Sequence, residues 1–183
     1  MLCELLPARV DRVLDLGTGD GVTLALALAA RPDASGTGLD FGDEMLRRAR
    51  ERFEGNARVV IDRHDLDVPL PSELGSFDVV VSSFAIHHCA PERQRVLYGE
   101  VFGMLRPGGV FVNAEHVASP TAQLHEDFLI AIGVDPAEDD PSNQLVAVDR
   151  HLEWLRDPGF DDVDCYWKWR EVAVLAGRKP DTA

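Results

Sequence analysis

Val13-Leu14-Asp15-Leu16-Gly17-Thr18-Gly19-Asp20-Gly21 (VLDLGTGDG) carries an apolar segment straight into a glycine-rich turn. One acid stands before the first glycine and another lies inside the turn. A strand, a glycine turn and a following helix together receive nucleotide-like ligands, because bare backbone N–H groups then approach the ligand closely. Outward from this point the chain alternates in type. Residues 10–16 read as a buried strand, and residues 21–31, rich in Ala and Leu, as a helix that Pro32 stops. Residues 36–40 read as a second strand, 43–53 as a charged amphipathic helix and 57–61 as a third strand. Residues 77–82 form a fourth strand, 91–105 a helix with Pro91 at its start, and 110–114 a fifth strand after the Arg106-Pro107-Gly108-Gly109 turn. Such alternation predicts an α/β domain, a parallel sheet covered by helices on both faces, with its ligand beyond the carboxyl ends of the strands.

Beyond residue 120 the pattern loosens. Residues 121–132 and 148–156 read as helices, with a Pro- and Asp-rich loop over 133–143 between them. Residues 162–169 and 172–177 read as an antiparallel hairpin at the sheet edge. No repeat and no second domain is evident, so residues 1–183 are expected to form one domain, with 180–183 frayed. Hydrophobic residues make up 45% and charged residues 27%, an ordinary globular balance. No apolar run approaches the length of a membrane span, so no membrane partner is expected. Cys3, Cys89 and Cys165 are scattered and odd in number, which fits a reducing, cytoplasmic setting. A net charge of -14 repels a phosphate backbone and disfavours nucleic acid as a partner. The basic run Arg47, Arg48, Arg50 and Arg52 reads as a solvated helix face.

Charge also selects the ligand of the glycine turn. The dinucleotide fingerprint needs a third glycine or alanine where this chain has Val22; its glycine falls at Gly21 instead. A pyrophosphate beside Asp15 and Asp20 is disfavoured by on the order of a few kcal/mol per charge pair. A ligand with an ammonium and no phosphate reverses that sign. S-adenosyl-L-methionine (SAM) is such a ligand, with a second positive charge on its sulfonium. Asp40, closing the second strand, is placed to accept hydrogen bonds from ribose hydroxyls and suits either ligand.

These stretches together resemble the class I SAM-dependent methyltransferases. Residues 13–21 resemble that family's first motif, and Gly38-Leu39-Asp40-Phe41 with Met45-Leu46 its second. His64-Asp65-Leu66-Asp67 resembles the acid-containing stretch after the third strand. Residues 77–88 (FDVVVSSFAIHH) resemble the fourth-strand motif, and Leu105–Gly109 (LRPGG) the turn before the fifth strand. The resemblance implies a Rossmann-like, doubly wound, seven-stranded and mostly parallel sheet of order 3-2-1-4-5-7-6, with an antiparallel last strand. It implies a methyl transfer from SAM, leaving S-adenosyl-L-homocysteine (SAH), to an acceptor expected to be a small molecule. It sets Asp15, Gly17, Thr18, Gly19, Gly21, Asp40, Phe41, Met45, Asp65, Leu66, Ser82, Ser83 and His88 around the cofactor. Asp65 would face the adenine amino group, with Phe41 and Met45 flanking the ring; an ordinary core role for Phe41 and Met45 is the alternative reading.

Members of the family usually carry a longer helical segment before the first strand, whereas only residues 1–11 precede it here. The expected account is a fragment or misplaced start; an open site or a cover from a second subunit are the alternatives. Methyl transfer from a sulfonium is an in-line displacement that asks mainly for positioning. His87, Glu115 and His116 stand at strand ends on the substrate side, but their spacing assigns no catalytic base and resembles no metal site. Tyr166-Trp167-Lys168-Trp169 reads as an edge strand packed on a helix. Two other functions remain open: a module that holds SAM or SAH without turnover, and a nicotinamide-dependent oxidoreductase.

Overall fold

The computed structural model describes residues 2–181. Met1, Thr182 and Ala183 lie outside the described residues, so the expected fraying is addressed only up to Asp181. The strands are β1 (Arg12–Leu16), β2 (Ser35–Asp40), β3 (Val59–Arg63), β4 (Phe77–Ser83), β5 (Leu105–His116), β6 (Asp161–Trp169) and β7 (Val172–Arg178). The α-helices are α1 (Leu2–Leu5), α2 (Val22–Ala30), α3 (Asp43–Arg52), α4 (Pro91–Met104), α5 (Ala122–Ala131) and α6 (Val148–Arg156). All seven strands join one sheet in the order β3-β2-β1-β4-β5-β7-β6. The pairs from β3 to β5 are parallel, and β7 runs antiparallel to both β5 and β6. This is the expected Rossmann-like, doubly wound topology.

Local chemistry explains the elements. Thr121 caps α5 by accepting from the Leu124 N–H, and Pro91 opens α4 where its missing N–H costs nothing. α3 carries Asp43 and Glu44 in its first turn and Arg50 and Arg52 in its last, as the helix dipole favours. Both sheet faces are buried. α2 and α3 cover one side through Leu24, Ala27, Leu46 and Ala49, joined by Leu6 just after α1. On the other side Leu97, Tyr98, Val101 and Leu155 of α4 and α6 meet Phe111 and Phe160. Burial on both faces explains why β1 and β4 read as continuous apolar runs.

Some boundaries shift. β3 begins two residues later than its sequence suggests, because Asn56 turns the chain by accepting from the Arg58 N–H. β5 is longer than expected, since the sheet pairs Leu105 with Phe77 across an irregularity before the regular register begins at Val79 and Val110. The aromatic run of β6 is less covered than expected: Tyr166, Trp167 and Trp169 stay more than 40% exposed, and Trp169 meets Phe128 of α5. Among the described residues no helix is long and apolar enough to cross a membrane.

Candidate active site

The parallel strands all end on one side, and a cavity of about 600 Å³ opens there. Its wall follows the strand order. Asp65 and Leu66 come after β3, Asp40 and Phe41 after β2, Gly17 and Gly19 after β1, and Ser83, Phe84 and His88 after β4. Gly42, Met45 of α3, His64, Asp67, Ala85, Cys89 and Ser142 complete it. No lysine or arginine is among these residues, whereas three carboxylates are. Such a wall suits a neutral or cationic ligand and disfavours a pyrophosphate.

The glycine turn is shaped by contact. Gly17 has φ +65, and a Cβ there would lie 2.1 Å from the Ala85 Cβ. Gly19, at φ +54, has nothing within 4 Å of such a Cβ, so its backbone lies open to the cavity. Asp40 ties this turn to β2: its two carboxylate oxygens accept from the N–H groups of Gly19 and Gly42 at 2.8 Å each. Four expected cofactor residues do not line the cavity. Asp15 is fully buried and accepts from Thr18 Oγ1 and the Leu24 N–H. Burial pushes its carboxyl up to about 7, and its Oδ1 has no protein partner. Thr18 is buried with it, Gly21 stands at the N-cap of α2 with φ 84, and Ser82 donates to the Leu16 carbonyl. These four shape the turn from behind. Asp20, whose charge argued against a pyrophosphate, is held by Arg52 at 2.7 Å. The electrostatic case therefore rests on the cation-free wall rather than on the turn's own acids.

Phe41 is no core residue: it is 64% exposed on the cavity rim, and Met45 is half-buried beside it. His64, quoted in its motif without a role, faces the cavity with Nε2 lacking a protein partner. The substrate-side residues His87, Glu115 and His116 lie behind the wall. Glu115 is fully buried and reaches His87 Nδ1 at 2.5 Å, and His116 pairs with Glu171 at 2.9 Å. The His87 ring lies tilted against that of His88 with centroids 4.2 Å apart, and only His88 reaches the cavity.

The tautomer of His88 follows from its partners. Ser142 Oγ lies 2.7 Å from Asp140 Oδ1 and 3.0 Å from His88 Nδ1. A hydroxyl has one hydrogen, and a carboxylate only accepts. Ser142 therefore donates to Asp140 and accepts from the His88 Nδ1–H, which leaves His88 Nε2 with a free lone pair. Burial lowers the imidazole's pKa, so the ring is neutral near pH 7. The loop that supplies Ser142 carries no motif, which is why the sequence did not reveal it. Among the described residues no group of three or more His, Cys, Asp or Glu is arranged to hold a metal ion.

Comparison with known proteins places this geometry. Residues 13–109 match the methyltransferase domain family. The chain belongs to the class I SAM-dependent methyltransferases. A phosphatidylethanolamine N-methyltransferase from Cereibacter sphaeroides is 36% identical over 123 residues, covering 64% of this chain and 56% of that protein. An O-methyltransferase family protein from Burkholderia thailandensis superposes with a TM-score of 0.80 at 23% identity, covering all of this chain and 55% of the other. Human N-acetylserotonin methyltransferase in complex with SAM has a TM-score of 0.67 at 18% identity, covering 93% of this chain and 48% of its own. The chain thus spans about half the length of these proteins.

Proposed function

We propose that this chain acts as a single methyltransferase domain that binds SAM in the cavity and transfers its methyl group to a small-molecule acceptor. The observation that carries this is the cation-free cavity with Asp40 at the end of β2 and the open backbone of Gly19 beside it. Asp40 accepts from the ribose hydroxyls, and Asp65 and Leu66 meet the adenine between Phe41 and Met45. Gly17, Gly19 and Ser83 receive the methionyl end, while Asp15, Thr18, Gly21 and Ser82 hold the turn in shape. When bound, the cofactor supplies an electrophilic methyl group on a good leaving group. The protein's part is to position the acceptor and exclude water. Where the acceptor carries a proton, His88 Nε2 takes it, with His87 and Glu115 supporting the ring from behind. The net charge of -14 argues against nucleic acid as acceptor, and the three unpaired cysteines fit a cytoplasmic setting.

Isothermal titration with SAM, SAH and NADH side by side tests the reading. Binding of the two adenosyl-sulfur ligands without NADH supports it. Tight NADH binding with none to SAM replaces it with a nicotinamide-dependent oxidoreductase. SAM binding without SAH formation across acceptors of varied chemistry reduces the chain to a binding module.

A further inference from the structure

The turn after β4 holds a residue in a conformation its side chain does not favour. Phe84 has φ 51, the left-handed region, where a bulky residue is an outlier. Its N–H donates to the Ala114 carbonyl at 2.8 Å, which ties the turn to β5. The next residue, Ala85, packs against Gly17 without room for a further methyl group. The backbone is thus fixed from both sides, and an Asn or Gly here would relieve the strain. The ring gains little in return from burial: it is 49% exposed and forms part of the cavity wall. A strained backbone that presents an exposed aromatic ring to a ligand cavity points to a contact made only when the ligand is present.

The strand order says which part of the ligand that is. This step rests on the SAM reading above. Adenine lies toward β3 and the ribose at Asp40 of β2, so the sulfur, one bond beyond the ribose C5′, lies toward β1 and β4. Phe84 follows β4 directly, between the cavity-lining Ser83 and Ala85. No lysine or arginine lines the cavity to compete for the ring. We propose that Phe84 reads the positive charge of the sulfonium through its aromatic face, and so makes the chain prefer SAM over its neutral product SAH. Release of the product is then favoured by the loss of that charge.

The test needs no knowledge of the acceptor. SAM and SAH are titrated into the wild-type chain and into Phe84→Leu, Phe84→Asn and Phe84→Tyr, with thermal unfolding recorded for each. Asn tolerates the left-handed backbone, so Phe84→Asn keeps the turn while removing the ring. A cation–π contact predicts that Leu and Asn weaken SAM by about threefold to thirtyfold, while SAH changes by less than about twofold. Tyr retains the wild-type ratio of the two affinities. Equal losses for SAM and SAH reduce Phe84 to apolar packing and overturn the proposal, as does unchanged SAM affinity in both ring-less variants. A wild-type chain that binds neither ligand refutes the cofactor reading itself, an outcome distinct from an altered ratio.

Discussion

At the scale of single residues, the glycine turn separates two kinds of constraint that look alike in sequence. Gly17 is required by the protein itself, because a Cβ there would overlap Ala85. Gly19 faces open space, so a Cβ there meets only what enters the cavity. Gly17→Ala is expected to destabilise the fold by about 2 kcal/mol or more through overpacking and left-handed strain. Gly19→Ala should cost only about 1 kcal/mol in stability and yet weaken SAM about tenfold or more, since the methyl group fills ligand space. Urea unfolding and calorimetric titration of both variants check the contrast, and equal effects of the two on binding would remove it. Asp15 makes a pH prediction. Burial raises its carboxyl to about 7 from an ordinary value of 3.8, so the protonated form is favoured in the fold. Its contribution is fully present below the unfolded value and is lost as pH rises through about 7, by on the order of a few kcal/mol. Asp15→Asn should flatten stability between about pH 4 and about pH 7, the interval between its unfolded and folded values. A variant that keeps the wild-type slope would show that another group carries it.

At the scale of elements, β5 links the sheet core to the cavity edge. Asn113 and Glu115 alternate onto one face of the strand, and both are buried. Asn113 Nδ2 donates to Glu115 Oε2 at 3.1 Å and to the Tyr98 hydroxyl of α4 at 3.2 Å. The Tyr98 hydroxyl also lies 2.8 Å from His151 Nδ1 of α6. Burial depresses His151 to about 4, so the ring is neutral near pH 7 and its Nδ1 shares a hydrogen bond with the tyrosine hydroxyl. Tyr98→Phe keeps the ring against Phe111 but strips partners from Asn113 and His151. It is expected to cost about 1–3 kcal/mol, and chemical denaturation measures it; a loss below about 0.5 kcal/mol would mean that the network is not under strain when broken. This network marks the limit of what the sequence shows. Periodicity located β1, β2, β4 and helices α2 to α6 because burial against the sheet writes apolar positions directly into the chain. The glycine turn and Asp40 were legible because their backbone demands are local. The join of Tyr98, Asn113, Glu115 and His151 brings three distant segments, α4, β5 and α6, together and leaves no spacing to read. The same holds for Ser142, which reaches His88 from a loop whose composition says only that it turns. Asp15 and Ser82 were legible as motif residues, but their burial behind the turn depends on α2 and β1 packing that no motif states.

At the scale of the whole molecule, an acidic chain encloses a cavity with no basic residue in its wall. Both features act in the same direction: they repel phosphate-rich ligands at long range and leave a bound cation uncontested at short range. The cavity is also where the sheet's carboxyl ends, the Asp40 tie and the Ser142 loop converge, so a ligand there contacts β1, β2, β4 and the segment after α5 together. Binding to the folded state alone stabilises it by mass action, by about 2.7 kcal/mol at a ligand concentration of 100 Kd. For a chain of this size that corresponds to a rise in Tm of roughly 5–10 °C. SAM and SAH at saturating concentration should each produce a shift of this order, whereas NADH, with its pyrophosphate at the glycine turn of a wall that holds no lysine or arginine, should produce none. Differential scanning fluorimetry at low and at moderate salt reads all three together. A shift with NADH equal to that with SAM would show that the cavity does not select by charge, and would remove the physical basis on which SAM was preferred.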